Sequence, residues 1–381
     1  MSNKIKIVAD NKIPFLRGVL EPYADIQYLN PSDITRDAVK DKDALIIRTR
    51  TNCNSELLDG TNIKFIATAT IGFDHIDQEY CREKNIKWIN APGCNSYSVQ
   101  QYIASVLLTL GHKRKLDLSA LTIGIVGVGN VGSKVEQLAR VLGMNILLND
   151  PPRERKEGSG KFVDINELIS KSDIITFHVP LIKDGRDKTY HMADEKFFSR
   201  FNNGKIIFNT SRGQVINTNS IKNAIKGKKV NAAVLDVWEN EPNIDLELLN
   251  LVDIATPHIA GYSADGKANG TSVCVINTAS FFDLGIHKSW YPQELPFPEN
   301  PDEINIDCAG QSEQEIFYKA FDSSYNIMND DNTLRKSVDT FEKQRGNYPV
   351  RREFPFYKIK AKNCPEDIEN KLKTIGFQII N

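Results

Sequence analysis

The sequence predicts an α/β fold with doubly wound parallel sheets, and two patterns support this prediction. Short apolar segments of strand length alternate with segments of helical periodicity, as they do in βαβ units. Several apolar segments are hydrophobic without interruption, which is typical of strands buried on both faces of a parallel sheet. The 381 residues, 40% hydrophobic and 25% charged, are typical of a globular protein with two or three domains.

The N-terminal quarter of the chain contains the first set of alternating elements. Strands are predicted at KIKIVAD, DALIIRTRT, IKFIATATIGFDHID and IKWINAPG, and a helix is expected near FLRGVLEPY. The segment SYSVQQYIASVLLTLGHKRK then predicts a long helix with an apolar stripe.

A second set of strands follows, at LTIGIVGVG, NILLND, DIITFHVP, KIIFNTS, NAAVLDVW and VDIATPH, and then a helix at DGKANGTSVCVINTASFFD. The segment WYPQELPFPENPDE, with four prolines, reads as a linker. The last 95 or so residues predict a small α+β unit. Its strands are INIDCAG, FPFYKIKA and FQII, and its helices are SEQEIFYKAFDSSYNIM, NTLRKSVDTFEKQR and CPEDIENKLKTIG.

Glycines cluster where the strand LTIGIV meets the amphipathic helix SKVEQLARVLG. Gly127 permits a tight turn, Gly129 allows the backbone to approach a pyrophosphate, and Gly132 allows helix and strand to pack closely. The pyrophosphate would lie at the helix N-terminus, against the segment that includes Asn130 and Val131. Asp150 follows Gly132 by 18 residues, near the position where an acid binds the adenosine ribose. Its carboxylate would repel a 2′-phosphate, so the predicted cofactor is NAD rather than NADP.

Three later residues follow predicted strands and form a candidate catalytic set. Arg212 lies in NTSRGQVIN, Glu241 in LDVWENEP and His258 in TPHIAGYS. Parallel strands bring their carboxyl ends to one edge, where α/β folds bind ligands. A neutral histidine can take the hydroxyl proton of a 2-hydroxy acid while hydride leaves C2, and a glutamate can fix its tautomer. An arginine can hold the substrate carboxylate with two hydrogen bonds. Each residue type taken alone is more often structural or solvated, but their joint placement favours catalysis.

The overall composition excludes some other classes of function. The 48 basic and 49 acidic residues give a net charge of −1, so no nucleic-acid partner and no membrane partner are expected. The segment MSNKIKIVADNKIP lacks an apolar signal core, and a cytoplasmic protein is expected. The scattered cysteines predict neither a disulfide framework nor a metal site. These cysteines are Cys53, Cys81, Cys94, Cys274, Cys308 and Cys364.

The motifs GIVGVGNVG, NTSRGQVIN, LDVWENEP and PHIAGYS resemble those of the D-isomer-specific 2-hydroxyacid dehydrogenase superfamily. Within it, GFDHID, NAPGCNSYSV, DPPR, FHVPLIKDG, HMADEKFF and NYPVRREF resemble the erythronate-4-phosphate dehydrogenase family over essentially the whole chain. The resemblance implies oxidation of 4-phospho-D-erythronate to 2-oxo-3-hydroxy-4-phosphobutanoate with NAD, in vitamin B6 biosynthesis.

Residue roles and domains also come with the resemblance. It implies that Arg212, Glu241 and His258 are catalytic. The implied NAD contacts are Asp150, Val179, Thr210, Ser211, Arg212, Asp236 and Gly261, and the implied substrate contacts are Thr49, Thr70 and Tyr262. It implies a flavodoxin-like catalytic domain (residues 1–93 and 259–285) with an inserted Rossmann NAD domain (residues 94–258). Residues 286–381 would form a domain that makes a homodimer.

Two questions stay open at the level of sequence. The substrate phosphate has four candidate arginines: Arg48, Arg50, Arg351 and Arg352. The chain could also be another D-2-hydroxyacid dehydrogenase, such as a phosphoglycerate dehydrogenase, or a non-enzymatic NAD-responsive corepressor-like protein.

Overall fold

The computed structural model describes residues 4–380. The chain divides into two compact units, one of Met1–Asn95 with Ser263–Pro296 and the other of Ser96–Tyr262 with Phe297–Asn381. The second unit contains both the glycine-rich region (residues 127–132) and the C-terminal segment (residues 297–381). The division into three domains stays a prediction.

All the strands described pair in parallel, in three sheets. They are β1 (Ile5–Asp10), β2 (Ala24–Leu29), β3 (Ala44–Ile47), β4 (Phe65–Thr68), β5 (Lys87–Ile89), β6 (Thr122–Val126), β7 (Asn145–Asn149), β8 (Ile174–Phe177), β9 (Lys205–Asn209), β10 (Val230–Leu235), β11 (Ile254–Ala255), β12 (Glu303–Asp307), β13 (Lys358–Lys362) and β14 (Gln378–Ile380). The sheets are ordered β2-β1-β3-β4-β5, β11-β10-β9-β8-β6-β7 and β12-β13-β14. The predicted α/β fold with doubly wound parallel sheets is confirmed.

The α-helices lie between these strands. They are α1 (Arg36–Val39), α2 (Ser55–Leu58), α3 (Gln78–Glu83), α4 (Ser96–Arg114), α5 (Asn130–Val141), α6 (Pro151–Glu157), α7 (Ile165–Lys171), α8 (Glu195–Ser199), α9 (Thr218–Lys226), α10 (Leu246–Leu251), α11 (Ala264–Phe282), α12 (Glu313–Ser324), α13 (Ile327–Lys336), α14 (Phe341–Gly346) and α15 (Glu366–Ile375). Within residues 4–380, none of them is both long and apolar enough to span a membrane.

The first unit differs from the sequence prediction at its N-terminal end. The helix expected near FLRGVLEPY is wrong, because residues 15–23 form turns. Phe15 and Gly18 have φ of 62° and 85°, which a right-handed helix does not accept. The sequence analysis also missed β2, which pairs along β1 as an edge strand. The resulting order β2-β1-β3-β4-β5 is that of flavodoxin-like sheets.

Helix α11 returns the chain to the first unit and packs on its sheet. Gly270 lies so close to the sheet that a Cβ there would be 2.7 Å from the carbonyl oxygen of Ala69. Cys274 and Val275 join the apolar cluster that contains Phe65. The helix predicted at DGKANGTSVCVINTASFFD is therefore confirmed.

The six-stranded sheet of the second unit reverses its strand order next to β6. The chain runs from β6 to β7 on one side, and then crosses back to β8 on the other side of β6. In open α/β sheets, the crevice at the carboxyl ends of strands at such a switch point is where ligands bind.

Helix α4 joins this sheet to the C-terminal segment. Its residues are buried on all sides from Ser98 to Gly111, beyond the single apolar stripe that was predicted. Its buried polar side chains find partners in the C-terminal segment. Ser98 donates to Glu353 over 2.7 Å, and the Gln101 amide donates to the backbone carbonyl of Arg352 over 3.0 Å. The C-terminal segment thus belongs to the packed core of the second unit.

Candidate active site

The three glycines form a tight turn between β6 and α5. Gly127 has φ of 85°, and a Cβ there would lie 2.6 Å from the carbonyl oxygen of His178 and 2.7 Å from Cγ1 of Val179. A Cβ on Gly132 would lie 2.0 Å from the carbonyl oxygen of Gly127. Gly129 has open space where its side chain would be. The turn is therefore closely packed on one side and leaves its backbone free on the other. A pyrophosphate requires such a turn to bind at the start of α5, at Asn130 and Val131.

Asp150 lies at the end of β7 and is tied to the same turn. One carboxylate oxygen accepts from the Val128 backbone N–H over 2.8 Å. The other accepts from the Arg153 N–H over 3.0 Å and so caps α6. A carboxylate has further lone pairs to offer a ribose hydroxyl. The geometry fits the ribose contact predicted from the sequence, which remains a prediction.

The next strands of the sheet carry the remaining candidates for cofactor contacts. Val179 follows β8 and stands beside Gly127, and Thr210 follows β9. His178 lies between them, with Nε2 2.9 Å from the Thr176 hydroxyl and Nδ1 3.3 Å from the Thr210 hydroxyl. Burial lowers the pKa of His178 to about 3, so its ring is neutral at physiological pH.

Glu241 and His258 form a hydrogen-bonded pair. His258 Nδ1 donates to one oxygen of the Glu241 carboxylate over 2.8 Å, and the other oxygen accepts from the Trp238 N–H over 2.9 Å. Burial is the largest single effect on the pKa of Glu241 and raises it, but the hydrogen bond and charge of His258, the Trp238 N–H and the charge of Arg345 together outweigh burial, and the net pKa is lowered. The side chains of His258 and Glu241 are 31% and 20% exposed, so the pair is accessible. With Nδ1 occupied, Nε2 is the nitrogen that can exchange a proton with a ligand.

Arg212 and Ser211 lie in the turn that follows β9, next to β10 in the sheet. The Asn209 side chain shapes this turn: its amide donates to the Arg212 carbonyl over 3.0 Å, and its oxygen accepts from both the N–H and the hydroxyl of Ser211. Since β9, β10 and β11 are consecutive neighbours, the segments that carry Arg212, Glu241 and His258 leave the same edge of one sheet.

Asp236 holds the loop that carries His258. Its buried carboxylate accepts from the N–H groups of Ile259 and Ala260, over 2.7 and 2.9 Å, and from the Thr256 hydroxyl over 2.6 Å. The backbone carbonyl of Asp236 also accepts from the His258 N–H over 2.7 Å. His258 itself has φ of 57°, a conformation that this bonding maintains. Asp236, predicted as an NAD contact, therefore has a positioning role in the structure.

A charged side chain of the C-terminal segment, that of Arg351, holds the same loop. The guanidinium of Arg351 donates through Nη2 to the carbonyl oxygens of Ile259 and Ala260, over 3.3 and 2.6 Å. Arg351 is only 4% exposed, and its charge lies 4.5 Å from the Tyr325 ring centroid. As a candidate for the substrate phosphate, Arg351 is almost fully buried, and its Nη2 is engaged by the loop, whereas its Nε and Nη1 have no hydrogen-bond partner among the described residues. Gly261 and Tyr262 follow directly in the same loop.

Thr49 and Thr70 lie in the first unit, at the carboxyl ends of the adjacent strands β3 and β4. The Thr70 hydroxyl donates to the Gly72 carbonyl over 3.0 Å and lies 2.9 Å from the Thr68 hydroxyl. Thr49 is exposed. Beside it, Arg48 makes a two-pronged salt bridge to the fully buried Asp10, over 2.9 and 3.2 Å.

Comparison with known proteins decides the family. Residues 100–260 match the model described as "D-isomer specific 2-hydroxyacid dehydrogenase, NAD binding domain", and residues 298–376 match a domain of unknown function, DUF3410. The chain is 50% identical over 356 residues to the erythronate-4-phosphate dehydrogenase of Bacteroides fragilis, with 93% of this chain and 99% of that protein covered. The chain belongs to the erythronate-4-phosphate dehydrogenase family. The enzyme of the same name from Cronobacter sakazakii is 39% identical, over 98% of both chains.

Solved structures support the fold of this family member. The D-lactate dehydrogenase from Aquifex aeolicus, complexed with NAD and lactic acid, matches with a TM-score of 0.63 and 26% identity over 73% of this chain and 95% of that one. The NAD-bound 3-phosphoglycerate dehydrogenase of Entamoeba histolytica matches the fold with a TM-score of 0.62 and 23% identity, over 77% and 100%. The predictions of the family and of NAD as the cofactor are confirmed.

Sequence reasoning missed the residues that hold or flank the catalytic loop from the C-terminal segment. The sequence makes Arg351 a candidate for the phosphate and gives no indication of Arg345. No local pattern marks either of them, because each is about 90 residues from the loop in sequence. Only the packing of the C-terminal segment against that loop reveals them.

Proposed function

We propose that this chain oxidises 4-phospho-D-erythronate to 2-oxo-3-hydroxy-4-phosphobutanoate with NAD, in pyridoxal 5′-phosphate (vitamin B6) biosynthesis. One observation carries the proposal: the Glu241–His258 pair lies at the carboxyl edge of a sheet that also bears the dinucleotide-binding turn. The name of the near-full-length relatives supports the choice of substrate.

The chemistry follows from the bonding of the pair. Oxidation of a 2-hydroxy acid removes a proton from the hydroxyl group and a hydride from C2. His258 takes the proton at Nε2, while its Nδ1 keeps its own proton and donates it in a hydrogen bond to Glu241, whose negative charge stabilises the imidazolium that forms. Bound NAD supplies the hydride acceptor. Arg212 binds the substrate carboxylate with two parallel hydrogen bonds and so sets the orientation of C2.

The remaining assignments rest on position and on family resemblance. The turn from Gly127 to Gly132 holds the pyrophosphate, and Asp150 holds the adenosine ribose. Further NAD contacts are assigned to Val179, Thr210, Ser211, Arg212, Asp236 and Gly261. Substrate contacts are assigned to Thr49, Thr70 and Tyr262.

The three-domain organisation belongs to the same proposal. Residues 1–93 with 259–285 form the substrate domain, residues 94–258 the NAD domain, and residues 286–381 the domain through which a cytoplasmic homodimer forms. Light scattering of the full chain tests the homodimer: a mass of two chains is expected, and a mass of one chain would contradict it.

The formation of NADH, followed by absorbance, tests the function. We expect turnover with 4-phosphoerythronate well above that with 3-phosphoglycerate or D-lactate. A preference for 3-phosphoglycerate would favour a phosphoglycerate dehydrogenase, and tight NAD binding without turnover of any substrate would favour a corepressor-like protein.

Two variants test the roles of single residues. His258→Ala should lose most of its turnover while it still binds NAD, since only the proton acceptor is removed. Asp150→Ala should lose discrimination against NADP, because the charge that repels a 2′-phosphate is gone. Normal turnover in the first variant, or unchanged discrimination in the second, would contradict the respective role.

A further inference from the structure

A second arginine of the C-terminal segment lies beside Tyr262, which is in the loop that follows His258. Arg345 is on the short helix α14, and its guanidinium carbon is 5.8 Å from the ring centroid of Tyr262. Tyr262 is four residues after His258, in the loop that Asp236 and Arg351 hold in place. The positive charge of Arg345 also acts on the Glu241 carboxylate. Arg345 therefore lies beside Tyr262 of the loop that follows His258, and its charge contributes to the lowered pKa of Glu241.

The bonding of Arg345 leaves donor capacity for a ligand. Its Nη1 donates to the Glu342 carboxylate over 3.1 Å, and its guanidinium also has a hydrogen bond with the Tyr262 side chain, whereas its Nε is buried and has no hydrogen-bond partner among the described residues. The side chain is 13% exposed. Since an unpaired buried donor costs free energy, such a group next to a reaction site suits an anion that arrives with the substrate.

The position of Arg345 in the chain narrows down which anion it binds. A carboxylate is present in every 2-hydroxy acid, lactate included, and Arg212 in the matched NAD-binding segment is assigned to it. Arg345 lies outside that segment, within the C-terminal match at residues 298–376. The anionic group that the proposed substrate has and lactate lacks is its phosphate.

We propose that Arg345 binds the phosphate of the substrate and so selects phosphorylated 2-hydroxy acids. This inference rests on the proposed function. It gives the C-terminal segment a place in substrate recognition. Arg351 also has unpaired donors at Nε and Nη1, but it is only 4% exposed, against 13% for the Arg345 side chain, and its Nη2 holds the loop carbonyls. Arg48 is paired with buried Asp10. Arg345 is therefore the more accessible of the two C-terminal guanidiniums that have an unpaired donor among the described residues.

The test compares substrates with and without the phosphate. We expect Arg345→Met to lower kcat/KM for 4-phosphoerythronate by about 10- to 100-fold, as loss of a charge-assisted hydrogen bond does. For erythronate, the loss should be about tenfold smaller, since an effect of Arg345 through Glu241 is common to both substrates and only the phosphorylated one also loses a contact. Arg345→Lys, which keeps the charge without the planar fork, should fall between Arg345→Met and the wild type. Lys343→Met is the matched control, because it removes an exposed charge from the same helix.

Inorganic phosphate is a second probe that does not depend on turnover of erythronate. As a competitive inhibitor against 4-phosphoerythronate, it should bind Arg345→Met at least about tenfold more weakly than it binds the wild type. NAD affinity and the thermal midpoint should be retained, and if Arg345→Met does not fold, Arg345→Lys is measured in its place.

The outcomes separate this inference from the proposed function. A wild type without activity on 4-phosphoerythronate overturns the function. An active wild type whose Arg345 variants lose activity equally on both substrates overturns the phosphate assignment, because Arg345 then acts only through Glu241 or Tyr262. Unchanged kinetics and unchanged phosphate inhibition in the Arg345 variants overturn it as well.

Discussion

Replacement of Glu241 by glutamine would test whether the carboxylate sets the proton position on His258. Each carboxylate oxygen accepts one donor: His258 Nδ1 over 2.8 Å, and the Trp238 backbone N–H over 2.9 Å. Glutamine has a single acceptor oxygen. Since the backbone N–H cannot turn, we expect the amide oxygen to stay on Trp238 and the NH2 group to face Nδ1. Nδ1 must then accept, and the ring proton moves to Nε2, which can no longer receive the substrate proton.

The magnitude follows from the bond that is lost. A hydrogen bond to an ionised carboxylate contributes about 1.5–3 kcal/mol, and about 1.4 kcal/mol corresponds to a factor of ten in rate. Glu241→Gln should therefore lower kcat by about 10- to 150-fold. KM and the NAD dissociation constant should change little, since neither oxygen is assigned to a ligand.

The chain contains a matched control for this variant. Glu239 binds His191 Nε2 over 2.6 Å and the Thr218 backbone N–H over 2.8 Å, so it has the same two kinds of partner, but it is outside the proposed catalytic set. Initial rates of NADH formation at saturating NAD should fall for Glu241→Gln and stay within about threefold of the wild type for Glu239→Gln. Equal losses in the two variants, or a normal rate in Glu241→Gln, would refute the reasoning.

Three further predictions concern the turn, the loop and the response to acid. Gly132→Ala places a Cβ 2.0 Å from the Gly127 carbonyl oxygen. It should lower the free energy of unfolding in urea by about 1–3 kcal/mol or more and weaken NAD binding. A variant as stable as the wild type would show that the turn can relax. Arg351→Met removes the side-chain donor to the Ala260 carbonyl and one of the two donors to the Ile259 carbonyl, so it should cost about 1–3 kcal/mol in urea unfolding and lower kcat in the folded variant. Wild-type stability together with wild-type kcat would contradict the positioning role. His178 has a pKa of about 3 when folded and near 6.5 when unfolded, so the unfolded chain binds the proton first as the pH falls. Acid should therefore destabilise the wild type more than His178→Gln between pH 6.5 and about pH 3, and parallel pH dependences of the unfolding free energy would exclude this.

Local patterns predicted most of the elements of the fold. The uninterrupted apolar segments became buried parallel strands, since a strand covered on both faces needs no polar alternation. The prediction failed at residues 15–23, where apolar spacing suggested a helix. The positive φ values of Phe15 and Gly18 are not encoded in that spacing.

The sequence by itself determined the dinucleotide turn, because three glycines and an acid at fixed offsets act within one βαβ unit. It also determined the residue types of the catalytic set, because each follows its own strand. The tertiary structure alone decided how that set is held: Asp236 binds the N–H groups of the loop after His258, and Arg351 binds its carbonyls. The tertiary structure alone also places Arg345 beside Tyr262. These contacts join residues far apart in the chain, and their geometry exists only once the buried helix α4 has packed the C-terminal segment against the sheet.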